Sequence, residues 1–372
     1  MNEAEYRPGL ENVIAGETAI STIAGGLQYR GYRIEDLADH ATFEETAYLV
    51  LYGELPNQNE LDAFSGRLQA NASVPPQVIE VLGSIPPTAS MMDVMRSATS
   101  LLAHWDAETE DSSHDANLRK SERLLAQLPV VLAARYRLRQ GKQPVAADPS
   151  RTLASNLLWM LHDEPPSARQ IRALDLTLIL YAEHEFNAST FTARVVCSTL
   201  SDLHASVAAS IGALKGPLHG GANERVMDIL LAVESAEAAS EWVQQAFANK
   251  TRIMGFGHRV YKEGDPRARY LKSWCEQLAE ETNHQDFERN AQIIEDAVVS
   301  QKGIPPNLDW PSARLYYYLG LPIDLYTPLF VVSRVVGWSA HVVEQLDNNR
   351  LIRPRANYTG ELDRDWLPME GR

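Results

Sequence analysis

The chain has 372 residues, of which 45% are hydrophobic and 22% are charged. These values are typical of a globular protein with one large domain or two unequal ones, and they exclude a disordered, collagenous or coiled-coil chain. The formal net charge of −15 argues against nucleic acid or an anionic membrane as a partner. Small anionic ligands need only a local positive site and are not excluded.

Two features bear on the cellular compartment. Cys197 and Cys275 are the only cysteines, too few for a disulfide framework in a chain of this length. The first residues, MNEAE, lack the basic and apolar regions of a signal peptide. The sequence has no run of 18 apolar residues, so no transmembrane helix is predicted. We therefore expect a cytoplasmic protein.

The first predicted elements are a hairpin and a helix. A short hairpin is expected near residues 13–30, with Gly25 and Gly26 at its turn. A helix is expected over residues 43–52, because Thr42 is a good N-cap, acidic residues fill the first turn and a glycine follows the last.

Helical patterns dominate the rest of the chain. Apolar spacing predicts a helix over residues 121–140, in which Pro129 should introduce a kink or a new start, and residues 106–120 are predicted to be an exposed connection. Residues 303–311 are predicted to be a loop. Further helices are predicted over residues 171–183, 202–214, 223–234, 237–249, 266–280 and 328–346. The fold is therefore expected to be mostly or wholly α.

The segment KGPLHGGANE places His219 just before a predicted helix. The glycines after it allow a ligand to approach the backbone and leave the helix N-terminus free to face an anion. A turn with an incidental histidine explains the pattern equally well, so both interpretations stay open.

Residues 250–272 form a basic segment, with seven basic side chains against two acidic ones. Arginine can bind a carboxylate through two parallel hydrogen bonds, and lysine attracts phosphate as a point charge. A solvated helix face is the usual explanation for such a run. The interleaved glycines, His258 and Pro266 favour an anion-binding segment instead.

Three other charged residues could belong to a site. Asp309 lies among apolar neighbours in NLDWPSA, where burial would raise its pKa and make it a better base, although a capping or turn role is the alternative. Arg334 lies in an apolar helix and needs an anion, either a ligand or a structural partner. Arg353, in RPRA, is compatible with an exposed basic tail.

Together these segments resemble the citrate synthase family along nearly the whole chain. The matching segments occur in the family's order: GLENVIAGETAIS, LQYRGYRIEDLA, HEFNASTFTARV, GALKGPLHGGANERVM, GFGHRVYKEGDPRA, PNLDW and RPRANYTG. The resemblance implies an all-α fold with at most a short N-terminal hairpin. It also implies a large helical domain of residues 1–220 and 321–372, which forms a homodimer, and a small helical domain of residues 221–320 that closes over the active site.

The resemblance implies a role for each candidate residue in condensing acetyl-CoA with oxaloacetate. Asp309 would remove a methyl proton, His219 would donate a hydrogen bond to the enolic oxygen, and His258 would polarise the oxaloacetate carbonyl. The implied oxaloacetate ligands are His184, Arg267, Arg334 and, reaching in from the other subunit, Arg353. The implied CoA-binding residues are Lys250, Arg259 and Lys262. The CoA thioester is a substrate, and no cofactor or metal is expected.

The same residues allow three alternative functions. A 2-methylcitrate synthase would use propionyl-CoA through the same residues, and Trp310-Pro311-Ser312 departs from the family's usual aromatic pair and small residue, which leaves acyl preference open. A non-catalytic sensor of CoA or dicarboxylate would not need the intact His219, His258 and Asp309. A metal-dependent hydrolase is disfavoured, because the histidines lack ligand spacing.

Overall fold

The fold is built almost entirely from helices. The computed structural model describes residues 6–258, 261 and 264–372. Its helices are α1 (Ile34–His40), α2 (Phe43–Tyr52), α3 (Gln58–Asn71), α4 (Pro76–Ser84), α5 (Met91–Leu102), α6 (His114–Leu138), α7 (Leu153–His162), α8 (Ala168–Tyr181), α9 (Ala188–Cys197), α10 (Leu203–Leu214), α11 (Ala222–Leu231), α12 (Ala236–Ala248), α13 (Ala268–Glu281), α14 (Gln285–Lys302), α15 (Asp309–Tyr318) and α16 (Tyr326–Asp347). The predicted all-α fold is confirmed.

A small antiparallel sheet accompanies the helices near the N-terminus. Strands β1 (Ser21–Thr22), β2 (Gln28–Tyr29) and β3 (Tyr32–Arg33) pair in sequence order. The β1–β2 pair is the predicted hairpin, and β3 adds a third strand that the sequence did not indicate. The sheet is anchored to the helices because the buried Tyr29 hydroxyl donates to the carbonyl oxygen of Glu183 (2.9 Å).

Helix α2 has the bounds that the sequence predicts. The Thr42 side chain accepts a hydrogen bond from the Glu45 N–H, and the Glu45 carboxylate accepts one from the Thr42 N–H. This reciprocal capping satisfies two free N–H groups of the first turn. Gly53 closes the helix in the left-handed conformation, which glycine adopts without steric cost.

Helix α6 is longer than predicted and starts earlier. It runs as one helix through Pro129, so no new helix begins there. A proline inside a helix costs about 3 kcal/mol, and the complete burial of Leu128 and Leu132 on either side offsets this cost. The prediction of an exposed connection over residues 106–120 is wrong for its second half, which forms the first turns of α6.

Helix α16 lies at the centre of the largest group of helices. It is buried on nearly every side and contacts α2, α5, α6, α8, α9 and α10. A helix that is apolar all round is typical of a core position. The one arginine within it, Arg334, is therefore held deep in the protein.

Helices α11 to α15 form a second group. Helix α13 packs on α14 and α15, α12 packs on α14, and α11 packs on α15, while α8 and α16 connect this group to the rest. This grouping favours the small domain expected at residues 221–320, whose boundaries stay a prediction. Among the described helices, none combines the length and apolarity needed to cross a membrane.

Candidate active site

Asp309 is the first residue of α15, so the helix begins inside the loop predicted for residues 303–311. Its N–H donates to Oδ1 of Asn307 (3.0 Å), and the hydroxyl of Tyr181 donates to Oδ1 of Asp309 (2.9 Å). Burial raises the pKa of Asp309 to about 6, and the Tyr181 hydrogen bond and Arg267 oppose this rise. The carboxyl group is ionised at pH 7, yet it binds a proton more readily than an ordinary aspartate.

His219 lies in the turn between α10 and α11. Its Nε2 accepts a hydrogen bond from the backbone N–H of Ser189 (3.3 Å) and lies 2.8 Å from the Ser189 hydroxyl. Burial lowers the pKa of His219 to about 4, so the ring is neutral at pH 7. We infer from this pattern that the ring proton is on Nδ1, which is then available to donate.

Close packing requires glycine at position 220, next to His219, and the sequence did not indicate this. A Cβ at this position would overlap the carbonyl oxygen of Leu214, at the end of α10. The turn can therefore fold tightly onto α10 only with glycine here. This close packing fixes the backbone that carries His219.

His184, His258 and Tyr261 form a compact cluster of three rings. The ring centroids of His184 and His258 are 5.5 Å apart, and the Tyr261 hydroxyl is 3.0 Å from Nε2 of His184. The Tyr261 N–H donates to Nδ1 of His258 (3.2 Å), so a neutral His258 carries its proton on Nε2. Burial, with Arg267 nearby, holds the pKa of His184 well below its usual range.

The loop of His258 is joined to the segment that leads into α15. The Asn307 N–H donates to the carbonyl oxygen of Gly255 (2.9 Å), and the Gly257 N–H donates to that of Pro305 (2.9 Å). The Asn307 side-chain amide also donates to the carbonyl oxygen of Gly257 (2.8 Å). These bonds bring His258 and Asp309, the first residue of α15, into one region, although about 50 residues separate them.

Arg267 and Asp265 form a buried ion pair. Arginine Nε and Nη2 donate to the two carboxylate oxygens over 2.9 and 2.8 Å. Burial alone would lower the pKa of Arg267, but the charge of Asp265 raises it above its ordinary value. Asp265 Oδ2 also accepts from the N–H of Leu308 (3.1 Å), which connects the pair to Asp309.

Arg334 supplies a second buried cation. Its Nε donates to the carbonyl oxygen of Tyr181 (2.6 Å), and its guanidinium lies 4.6 Å from the ring centroid of Phe330. Burial lowers the pKa of Arg334 to about 10, which Glu183 opposes, so the side chain stays cationic at pH 7. Arg334 also lowers the pKa values of His184 and His219, which places it in electrostatic range of both.

Most predicted site residues therefore lie in one region, and two described ones do not. Lys250 follows the end of α12 and is exposed, and Arg353 lies in the exposed segment after α16. Arg353 lines a surface groove of about 980 Å³ with residues of the N-terminal segment such as Val13. Arg259 and Lys262 lie outside the described residues.

Several residues of the region were not predicted from the sequence. Tyr181, Ser189 and Asp265 all contact candidate residues, but no local pattern distinguished them from the longer segments in which they lie. Asp265 was counted as an acidic residue in a basic run, and its position two residues before Arg267 was the available signal. Nothing local connects Tyr181 with Asp309, since 128 residues separate them.

Comparisons with known proteins give a consistent result. The model described as "Citrate synthase, C-terminal domain" matches residues 9–355. Citrate synthase 2 of Bacillus subtilis is 46% identical, covering 98% of each chain. The 2-methylcitrate synthase 2 of Corynebacterium glutamicum is 45% identical, covering 99% of this chain and 98% of that protein.

Solved structures are similar over equally long stretches. The citrate synthase of Pyrobaculum aerophilum has a TM-score of 0.91 at 39% identity, covering 97% of this chain and 94% of that one. A ternary complex of carboxymethyl coenzyme A and oxaloacetate with the citrate synthase of Thermoplasma acidophilum has a TM-score of 0.92 at 34% identity, covering 98% and 99%.

These matches identify an all-α enzyme of the acyltransferase class. The chain belongs to the citrate synthase family. The predicted family, enzyme class and fold are thereby confirmed. Relatives of similar identity carry the names citrate synthase and 2-methylcitrate synthase, so the family includes both activities among close relatives.

Proposed function

We propose that the protein condenses acetyl-CoA with oxaloacetate and hydrolyses the product to citrate and CoA. The observation that carries the proposal is the half-buried Asp309 carboxyl, whose pKa desolvation raises to about 6 although the buried cation Arg267 opposes the rise. A base must take a proton from the thioester methyl group, a very weak acid. The mismatch with an ordinary carboxylate is roughly fifteen pKa units, or about 20 kcal/mol, so other groups must share the work.

His219 would supply part of that stabilisation. Its inferred tautomer presents an Nδ1–H donor, because Nε2 accepts from the Ser189 N–H. A neutral, fixed donor aimed at the thioester oxygen would stabilise the enolate as charge develops there. The low pKa also suits the task, because it keeps the ring neutral at pH 7 and the ring then donates through one fixed N–H while its other nitrogen accepts.

Oxaloacetate would bind among His184, His258, Arg267 and Arg334. The two buried guanidinium groups would neutralise the two carboxylates of the substrate, and they lose little freedom on binding because packing already orients them. The Nε2–H of His258 would polarise the ketone, which makes it a better electrophile. His184, kept neutral by burial, would donate or accept a hydrogen bond without adding charge.

Binding of the remaining substrate parts and the assembly are also proposals. The CoA phosphates would meet the basic segment with Lys250, Arg259 and Lys262. Closure of residues 221–320 over residues 1–220 and 321–372 would exclude water from the intermediate. Arg353 would complete the site of the other subunit in a homodimer. We propose a cytoplasmic location on the cysteine content, since both cysteines are free and buried.

Use of propionyl-CoA is the second candidate function. Of the three residues that depart from the family pattern, Trp310 is fully buried, donates to Oε2 of Glu295 (3.0 Å) and packs on Phe256. Ser312 is the one that approaches the base, through Tyr181. One methylene in an apolar pocket changes selectivity by roughly 10- to 200-fold, so both substrates must be measured.

The test is CoA thiol release with oxaloacetate, comparing kcat/KM for acetyl-CoA and propionyl-CoA. We expect the higher value with acetyl-CoA, and a loss of about 10²-fold or more in kcat for Asp309→Asn. Asp286→Asn, at a surface carboxylate, is the matched control and should keep wild-type activity. Preference for propionyl-CoA would establish the second function. Ligand binding without thiol release would favour the sensor and overturn both.

A further inference from the structure

Tyr181 makes hydrogen bonds to which the proposed mechanism assigns no role. It is the last residue of α8, it is buried, and its hydroxyl lies 2.9 Å from Oδ1 of Asp309 and 2.8 Å from Oγ of Ser312. Asp309 and Ser312 are in the first turn of α15. One phenol therefore joins helix α8 to the carboxylate that serves as the proposed base.

The direction of these hydrogen bonds follows from charge. An ionised carboxylate can only accept, so the Tyr181 hydroxyl must donate to Asp309. The phenol has one proton, so Ser312 is the donor in the 2.8 Å hydrogen bond between them, and the same hydroxyl also lies 3.3 Å from the carbonyl oxygen of Asp309. Burial raises the pKa of Tyr181 well above its usual value, which keeps the phenol protonated as a donor.

Packing holds the phenol in place. The Tyr181 ring lies 4.5 Å from the ring of Phe330, centroid to centroid, and its side chain is enclosed by the protein. Its carbonyl oxygen accepts from Nε of Arg334 (2.6 Å). The same residue thus contacts a proposed oxaloacetate-binding arginine through its backbone and the proposed base through its side chain.

We propose that Tyr181 is a positioning residue, which holds Oδ1 of Asp309 so that Oδ2 takes the proton from the thioester methyl group. This inference rests on the proposed function. Among the described residues, Tyr181 is the side chain found hydrogen-bonded to the Asp309 carboxylate, and the bond is to Oδ1. A carboxylate with one oxygen held is restricted in rotation, which keeps the other oxygen in line with its target.

Other charges face Asp309 and set the background for a test. Arg267 lowers its pKa, while Asp265 raises it, and both stay in place when Tyr181 is changed. Tyr316 also interacts electrostatically with Asp309. Loss of the Tyr181 donor alone should therefore raise the pKa of Asp309, because a hydrogen bond to the charged form is removed.

The experiment compares Tyr181→Phe with the wild type and with Tyr326→Phe. Tyr326 is a matched control, since it is fully buried but its hydroxyl has no hydrogen-bond partner among the described residues. For Tyr181→Phe we expect kcat to fall about tenfold, or about 1.4 kcal/mol, with KM for oxaloacetate unchanged. The acid limb of the kcat–pH profile should move up by about one unit. Tyr326→Phe should change neither.

Ser312→Ala tests the chain of donors. It should lower kcat less than Tyr181→Phe does, and the double variant should lose no more than Tyr181→Phe alone, because the serine acts through the phenol. Wild-type kcat and an unmoved acid limb in Tyr181→Phe would overturn the inference while leaving the condensation intact. An equal loss at every pH would also overturn it, since that is the mark of a structural role. An inactive wild type would instead overturn the proposed function.

Discussion

The backbone of Gly337 packs directly against the side chain of Glu183. A Cβ on Gly337 would overlap both Oε2 of Glu183 and the carbonyl oxygen of Ala182. Glu183 Oε1 accepts from Nε2 of His341 (3.0 Å), so the carboxylate cannot readily move away. Burial would raise the pKa of Glu183, but His341 and Arg334 hold it below its usual range. The contact therefore fixes the backbone next to His184.

Gly337→Ala should disturb this contact. We expect a loss of about 1–3 kcal/mol in the free energy of unfolding, although alanine favours a helix interior by about 1 kcal/mol. Denaturant unfolding measures the change, and KM for oxaloacetate should rise as His184 shifts. Gly66→Ala is the control, because a Cβ at this position in α3 meets open space. Equal stability of Gly337→Ala and Gly66→Ala would contradict the prediction, because it would mean that Glu183 and Ala182 can move to accommodate a Cβ.

Removal of the Asp265 charge should lower the free energy of unfolding and shift the acid limb of the kcat–pH profile. Asp265→Asn leaves the buried Arg267 without its counterion, which we expect to cost about 3 kcal/mol of unfolding free energy. The pKa of Asp309 should fall in the variant, because the charge of Asp265 raises it in the wild type. Urea unfolding and the kcat–pH profile test both effects. Unfolding unchanged from the surface control Asp286→Asn would contradict the prediction.

The ionised carboxylate of Asp309 should lower the free energy of unfolding at neutral pH. Its pKa rises from 3.8 to about 6 on folding, so the folded state binds more protons between these values and loses stability as the pH rises through them. Asp309→Asn lacks this cost and should be more stable than wild type by about 1–3 kcal/mol at pH 7 to 8.

The pH dependence distinguishes this effect from ordinary repacking. The stability difference between Asp309→Asn and wild type should shrink as the pH falls from 8 to 4, and it should approach zero only below the unfolded-state pKa of 3.8, where both states bind the proton. Thermal or urea unfolding at pH 4, 6 and 8 measures it. A difference that is constant across this range would show that the charge is not its source. Asp286→Asn should show no comparable trend.

Subunit complementation tests the proposed role of Arg353. Asp309→Asn and Arg353→Ala should each be impaired as homodimers. If Arg353 serves the other subunit, a mixed dimer has one site with both residues intact, and an equal mixture should regain about a quarter of wild-type activity. If Arg353 serves its own subunit, every mixed dimer has two damaged sites. No recovery in dimers verified as mixed would therefore contradict the proposal.

Local patterns in the sequence were sufficient for some elements. Helix α2 has its predicted bounds because Thr42, Glu45 and Gly53 act on backbone groups within a few residues of themselves. Helix α6 shows the limit of such reasoning. Pro129 is tolerated inside it because the surrounding core buries its neighbours, and a local rule cannot include that contribution.

The order of motifs along the chain indicated the family, and with it the candidates His184, His219, His258 and Asp309. Sequence alone determined this much because backbone propensities and side-chain chemistry belong to each residue. Tertiary structure decided which groups meet: Tyr181 with Asp309 across 128 positions, and His341 with Glu183 across 158. It also decided the pKa of Asp309, because burial and hydrogen-bond partners depend on the packing of distant helices.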